Sequence, residues 1–430
     1  MANVLDEGTV RFGALHDGMA GHAPVPTLLE VVQGKVRISA QWPPTGPTAH
    51  GTLIRALPGG VTPPLYPANL LFRDGSGAVA LIGCTPQHRR RSGAGHEEVM
   101  TAKFAVTDSG ADPGTYDQVR DLRVAISGLR AWVGVGSVGY GVVPPSEARG
   151  RVGFTAVSFS LDPICLPGDS GLSLEATASV DAPGDGSHVT IRNSLFARKT
   201  VSERTSWEVM LDGPRAIRDL LTLSSGKAQR ITSIEVRPEE KSGWMRVLAA
   251  RGTAEAVVVA AEERHLITYG DVGVEGLARW IALREECSRA LDSAISVFDL
   301  GANGGKEALL SAGIAAEALG LHVATLQGYK KPDDMRFAER LRLIGEPLAE
   351  TIGLDVGIWA ANTAKAYNGL KHANKDLPDA FDMFLATQQT MLVIRAWVAT
   401  QLGVPSAELA SRFDEIRRGG WNRTGLSPRS

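Results

Sequence analysis

GVEGLARWIALREECSRALDSAISVF, residues 273–298, contains no proline, and Leu277, Trp280, Ile281, Cys287, Leu291, Ile295 and Phe298 recur in it at helical spacing. Most of what precedes it reads differently. Short apolar runs return there every few residues, among them KVRISAQ (35–41), GTLIRAL (51–57), NLLFRD (69–74), AVALIGC (78–84) and VMTAKFAV (99–106). GFTAVSFSL (153–161), GLSLEATASV (171–180), HVTIRNSLF (188–196) and SIEVR (233–237) continue the series. Many alternate apolar and polar residues, as half-buried strands do, and Gly, Pro and Asp clusters separate them. WPPTGP and ALPGGVTPPLYP cannot lie inside helices. Helical insertions are expected near 126–134 and 213–224.

After the switch near residue 270 the helical pattern persists. Helices are predicted over 307–326, 333–352 with a break at Pro347, 356–373, and 381–403, the last closed by Gly403 and Pro405. The fold class expected is therefore α+β: a β-rich amino-terminal module, sandwich-like or bent-sheet, followed by an all-α bundle. The boundaries drawn are 1–268 for the first module, divisible near 140–150, 269–405 for the bundle, and a fraying polar tail over 406–430.

At 430 residues the chain is longer than one ordinary core. Its 43% hydrophobic and 21% charged residues describe a globular protein, and a net charge of −2 supplies no global field for nucleic acid. Any such contact must be local. Cys84, Cys165 and Cys287 show neither disulfide nor zinc spacing, which suits a reducing cytoplasm. The start has no basic-then-apolar leader, and no uninterrupted apolar run reaches the length of a membrane span.

The stretch that carries chemistry is AKAYNGLKHAN, residues 364–374. On a continuous helix Lys365, Asn368 and His372 stand at i, i+3 and i+7, on one face. Such a trio suits RNA cleavage by the substrate's own 2′-hydroxyl. An imidazole can move the proton, a cation can offset charge on the phosphate, and an amide can orient either. No metal or cofactor is required.

Here the sequence resembles the HEPN domains, whose signature is R-x4-6-H, often R-N-x-x-x-H; Asn368 and His372 match its N-x-x-x-H part. RWIALREECSRAL (279–291), AGIAAEALG (312–320) and MRFAERLRLI (335–344) resemble the ApeA-type branch, which acts in bacterial phage defence. VRDLRVAISGLRAWVGV (119–135), LIGC (81–84) and GTLIRAL resemble its amino-terminal domain. The resemblance implies a metal-independent endoribonuclease acting in abortive infection, with tRNA a candidate target and a phage-derived trigger. It also implies a homodimer that pairs two motif helices. His372 would be the general acid/base, Lys365 the phosphate clamp and Asn368 the orienter. Glu317 resembles a recurrent acidic position on the preceding helix, with Tyr367 and Lys371 as further supporting residues.

One departure stands out. Tyr367 occupies the place of the signature arginine, and the nearest cation at allowed spacing is Lys365. Lysine supplies charge without the arginine fork. Either Lys365 substitutes, or the module is catalytically inactive and binds RNA or a partner protein.

Three other motifs are weighed against plainer readings. GDSG (168–171), with His50 of TAHG (48–51) upstream, imitates a serine-protease pair, but His50 follows a proline-broken loop and GDSG is a common turn. GANGGKE (301–307) is too short for a phosphate loop and reads as a helix connection. HRRRSGAGH (88–96) reads as a basic hairpin tip, and Trp359 and Trp397 as core.

Overall fold

The structure, a computed structural model, describes residues 5–16, 23–42, 69–92, 95–108, 110–112, 114–143, 153–168, 170–181, 190–240, 242–249, 264–301 and 305–418. The expected strand GTLIRAL, the proline-rich stretches around it, and His50 lie outside these residues.

The β-rich half begins with β1 (Val10–His16), β2 (Val25–Val32), β3 (Lys35–Trp42), β4 (Asn69–Asp74) and β5 (Gly77–Ile82). Next come β6 (Thr85–Ser92), β7 (Gly95–Ala102), β8 (Phe104–Thr107) and β9 (Val119–Ile126), then the short α1 (Leu129–Val133). β10 (Val138–Val143) and β11 (Gly153–Ser158) form a separate hairpin. β12 (Ile164–Cys165), β13 (Leu172–Asp181) and β14 (Thr190–Thr205) lead into α2 (Trp207–Ser225), followed by β15 (Ile231–Arg237) and β16 (Met245–Ala249).

Fourteen strands form one antiparallel sheet in the order β12-β13-β14-β9-β15-β16-β8-β5-β4-β1-β2-β3-β7-β6. β3 touches β16, although five strands lie between them in that order, so the sheet bends back on itself. Its middle strands bury both faces. Leu71, Ala80, Ile82 and Val106 join the larger core, whereas Leu70, Phe72, Leu81 and Ala105 join a smaller one beneath β1, β2, β3 and β7. This is the bent-sheet alternative rather than two stacked sheets. Strands from before and after residues 140–150 share the ladder, so the division considered there does not separate two sheets.

The α2 helix lies across β9 and β14. Ser206 caps it by accepting from the Val209 N–H, and Trp207, Met210, Leu211, Ile217, Leu220 and Leu221 are buried. It continues through Pro214, starting a turn and a half before the expected insertion. Proline removes one helix bond there, but the buried face on either side keeps the element helical.

The helical half contains α3 (Tyr269–Glu286), α4 (Ser288–Asp299), α5 (Gly305–Leu326) and α6 (Phe337–Gly345). The brief α7 (Ala349–Ile352), then α8 (Val356–Lys371), α9 (Ala380–Gln401) and α10 (Ser406–Arg418) complete it. The single helix expected over 273–298 is two, broken at Cys287. Pro347 sits in a 3-10 turn, Glu346–Leu348, where a break was anticipated. The central α5 is touched by α4, α6, α8 and α9. It is the one described helix long and apolar enough to cross a membrane, and its buried residues form much of this core.

Within the expected polar tail, 406–430, the structure differs over 406–418, and 419–430 lie outside the described residues. Residues 406–418 form α10, whose Leu409 and Phe413 are buried, while Arg412 donates to both Asp271 carboxylate oxygens and to the Leu266 carbonyl. Two apolar residues four apart were enough to dock a helix that its three arginines disguised.

The two halves share the larger core, which runs from Leu71 and Leu122 to Trp280 and Leu319. Polar ties cross it. The Trp280 indole donates to the Ala216 carbonyl at 2.6 Å, and Arg284 to the Asp219 carboxylate at 2.9 Å.

Candidate functional site

The motif helix α8 starts with Asp355, whose carboxylate accepts the Ile358 N–H. Val356, Trp359, Ala360, Thr363, Ala366 and Tyr367 form its buried face, following the 3.6-residue period. Trp359 and Trp397 are core residues, as read from the sequence.

The helix ends at Lys371, so the expected span to Ala373 is too long. His372 is the C-cap, with extended backbone (φ −121°, ψ 115°), and its N–H donates to the Asn368 carbonyl. Lys365 and Asn368 therefore share a helical face, but His372 leaves it. The cause is the return of the chain towards α9. The Lys375 N–H closes a turn onto the His372 carbonyl, and the chain then packs on Gly369, where a Cβ would stand 2.4 Å from the Asp376 carbonyl oxygen. Only glycine permits that approach.

Lys365 and His372 are exposed and Asn368 is half-buried. No side-chain hydrogen bond or ion pair engages Lys365 or His372 among the described residues. Their neighbours are held tightly. Tyr367 is buried, its ring centroid 4.9 Å from that of Phe337, and its hydroxyl donates to Glu317 Oε2 at 3.2 Å. Burial, reinforced by the Glu317 carboxylate, pushes the Tyr367 hydroxyl up to about 12, so it stays a neutral donor. Lys371 Nζ lies 3.6 Å from the same Glu317 oxygen and 5.3 Å from the Tyr367 ring centroid.

Arg340 joins this group from α6. Its guanidinium is 3.6 Å from Glu317 Oε1 and donates to the Pro332 and Asp333 carbonyls at 3.0 and 2.8 Å. Arg340 is not among the site residues expected from the sequence, although the sequence carries a signal for it. Phe337, Arg340, Leu341 and Ile344 follow one helical stripe, so an arginine stands at a core position.

In the segment that follows His372, Leu377, Phe381 and Phe384 are exposed. None of the described residues group as His, Cys, Asp and Glu able to hold a metal ion.

The competing motifs fall into structural places. The Ser170 hydroxyl accepts the Leu172 N–H inside a turn flanked by Gly168 and Gly171, both at positive φ; Asp169 lies outside the described residues. Gly301 ends α4 at φ +71° and Gly305 begins α5, with 302–304 outside the described residues. The basic hairpin is β6–β7, β6 being an edge strand; residues 93 and 94 at its tip are outside the described residues.

The bundle and its motif helix define the class, a HEPN domain: residues 320–408 match the family described as Apea-like HEPN. Residues 47–283, more than half of the chain, match ApeA N-terminal domain 1. The chain belongs to the ApeA family, and its HEPN domain fits a protein of anti-phage defence. No curated protein and no solved structure matches it.

Proposed function

We propose that the chain is a metal-independent endoribonuclease of anti-phage defence, with its site at the carboxy-terminal end of α8. The observation that carries this reading is the exposure of Lys365 and His372, side chains without partners among the described residues, on a HEPN motif helix whose Tyr367 and Lys371 are both held by Glu317. His372 acts on protons, Lys365 clamps the phosphate and Asn368 orients the substrate. The 2′-hydroxyl loses its proton and attacks the adjacent phosphorus, and the 5′-oxygen leaves with a proton supplied to it. The products are a 2′,3′-cyclic phosphate and a 5′-hydroxyl.

One His372 cannot be neutral base and protonated acid at the same moment, so a concerted displacement needs a second proton-transfer group. HEPN domains typically dimerise and act on RNA, and Leu377, Phe381 and Phe384, exposed in the segment that follows His372, are apolar side chains a second copy could cover. Two motif ends would then provide base and acid. The β-rich domain is the sensing or regulating part, responding to a phage-derived trigger, and tRNA is a candidate target. Its place of action is the cytoplasm.

The test is cleavage of total RNA in excess chelator, followed by end analysis. Cyclic phosphates and 5′-hydroxyls are expected; 3′-hydroxyl ends, or cleavage that stops with chelator, contradict the mechanism.

A second reading has its own observation. Tyr367, in the arginine's place, is buried and spends its hydroxyl on Glu317, so it cannot clamp phosphate. A non-catalytic module that binds RNA or a partner protein would show RNA retained and intact in the same experiment.

A further inference from the structure

We infer that Arg340 is a positioning residue for this site, acting from α6 through Glu317 on Lys371, the neighbour of His372. The inference rests on the nuclease reading and goes beyond it by naming a residue outside the motif helix.

Arg340 is 7% exposed. A buried arginine is costly to desolvate, and this one also leaves its Nε without a partner. At a packing position on the Phe337, Leu341 and Ile344 stripe, leucine or methionine would avoid that cost. What the guanidinium adds is direction. Two N–H bonds to the Pro332 and Asp333 carbonyls fix its plane, and the remaining side faces Glu317 Oε1. Its backbone is fixed as well, because Gly320 lets α6 close on α5: a Cβ there would stand 2.5 Å from the Arg340 Cβ.

Glu317 is half-exposed and bridges three groups from two other helices: Arg340, the Tyr367 hydroxyl and Lys371. Without Arg340, the carboxylate would keep only partners on α8 and could follow Lys371 outward. With Arg340, one of its oxygens is tethered to α6 while the other receives α8. Lys371 is the last helical residue, and a free lysine there would sample many rotamers. The chain Arg340–Glu317–Lys371 holds one cation beside His372. Position 367, where the signature has arginine, is tyrosine here, while an arginine reaches the same cluster from a different helix.

The experiment is steady-state cleavage by the full chain and by Arg340→Met, Arg340→Lys, Glu317→Gln and the Arg340→Met/Glu317→Gln pair, with thermal unfolding of each. Arg340→Met and Glu317→Gln are each expected to lower kcat about tenfold or more with KM little changed. The pair should be no worse than the poorer single variant, because both cut one chain. Arg340→Lys should recover part of the loss, since an ammonium can still meet Glu317. If Arg340→Met does not fold, Glu317→Gln and Arg340→Lys carry the test with the same expectations. Wild-type kcat in folded variants, or losses that multiply in the pair, overturn the proposal while leaving the nuclease standing. Wild-type cleavage that His372→Ala does not reduce overturns the nuclease reading beneath it.

Discussion

Two places in the molecule hold charged side chains at helix ends, and they treat them in opposite ways. At the carboxy-terminal end of α2, where the halves meet, Arg395 is buried and donates to the Leu223 and Ser224 carbonyls at 2.5 and 2.9 Å. The Ser224 hydroxyl donates to the Ile267 carbonyl and meets His265 Nδ1 at 3.0 Å. In the second half of α8 and at its C-cap, Lys365 and His372 are exposed with no side-chain partner among the described residues, beside Tyr367 and Lys371, which are both engaged with Glu317. The first arrangement spends its charge on architecture, satisfying carbonyls that the helix end leaves open. The second leaves its charge available. Residue type alone does not separate them, since both contain a histidine and a cation.

The comparison breaks most visibly at Arg395. Arg395→Ala takes the donor from the buried Leu223 carbonyl, leaves the Ser224 carbonyl with the Leu266 N–H alone and opens a cavity, and should cost about 3–5 kcal/mol in urea unfolding. A loss below about 1 kcal/mol would mean that the junction contributes little to stability.

The next effect is one of pH. Burial, with Arg395 and Lys227 nearby, lowers His265 from 6.5 to about 4. The folded chain therefore keeps this imidazole neutral where the unfolded chain protonates it. Its contribution is complete above pH 6.5 and lost as pH falls towards 4. The unfolding temperature of the wild type should drop more steeply across that window than that of His265→Gln. Parallel slopes would remove His265 from the account.

The smallest stability effect belongs to the other region. Lys365→Ala should change stability by no more than about 0.5 kcal/mol while reducing RNA cleavage. The reverse, lost stability with retained cleavage, would turn Lys365 into a structural residue.

Much of this contrast was legible in the sequence, for identifiable reasons. The switch from period two to period 3.6 near residue 270 coincides with the start of α3 at Tyr269, because each period reports which face is buried. The motif helix is legible in its spacing, and its Asn-x-x-x-His pattern in the resemblance to the HEPN signature. What escaped depended on contacts distant in sequence. The end of α8 before His372 follows from packing of residues 376–378 on Gly369, which no helix periodicity encodes. Helix α10 was hidden by its arginines, and Arg340 by the apolar company it keeps. The break at Cys287 was invisible because apolar spacing continues across it.

The central claim, that the end of α8 is left open for chemistry, is tested most directly by incubating total RNA with purified wild type and His372→Ala, each checked for an unchanged unfolding midpoint. Cleavage by the wild type should fall about a hundredfold or more in the variant. Equal cleavage by the two proteins would contradict the account.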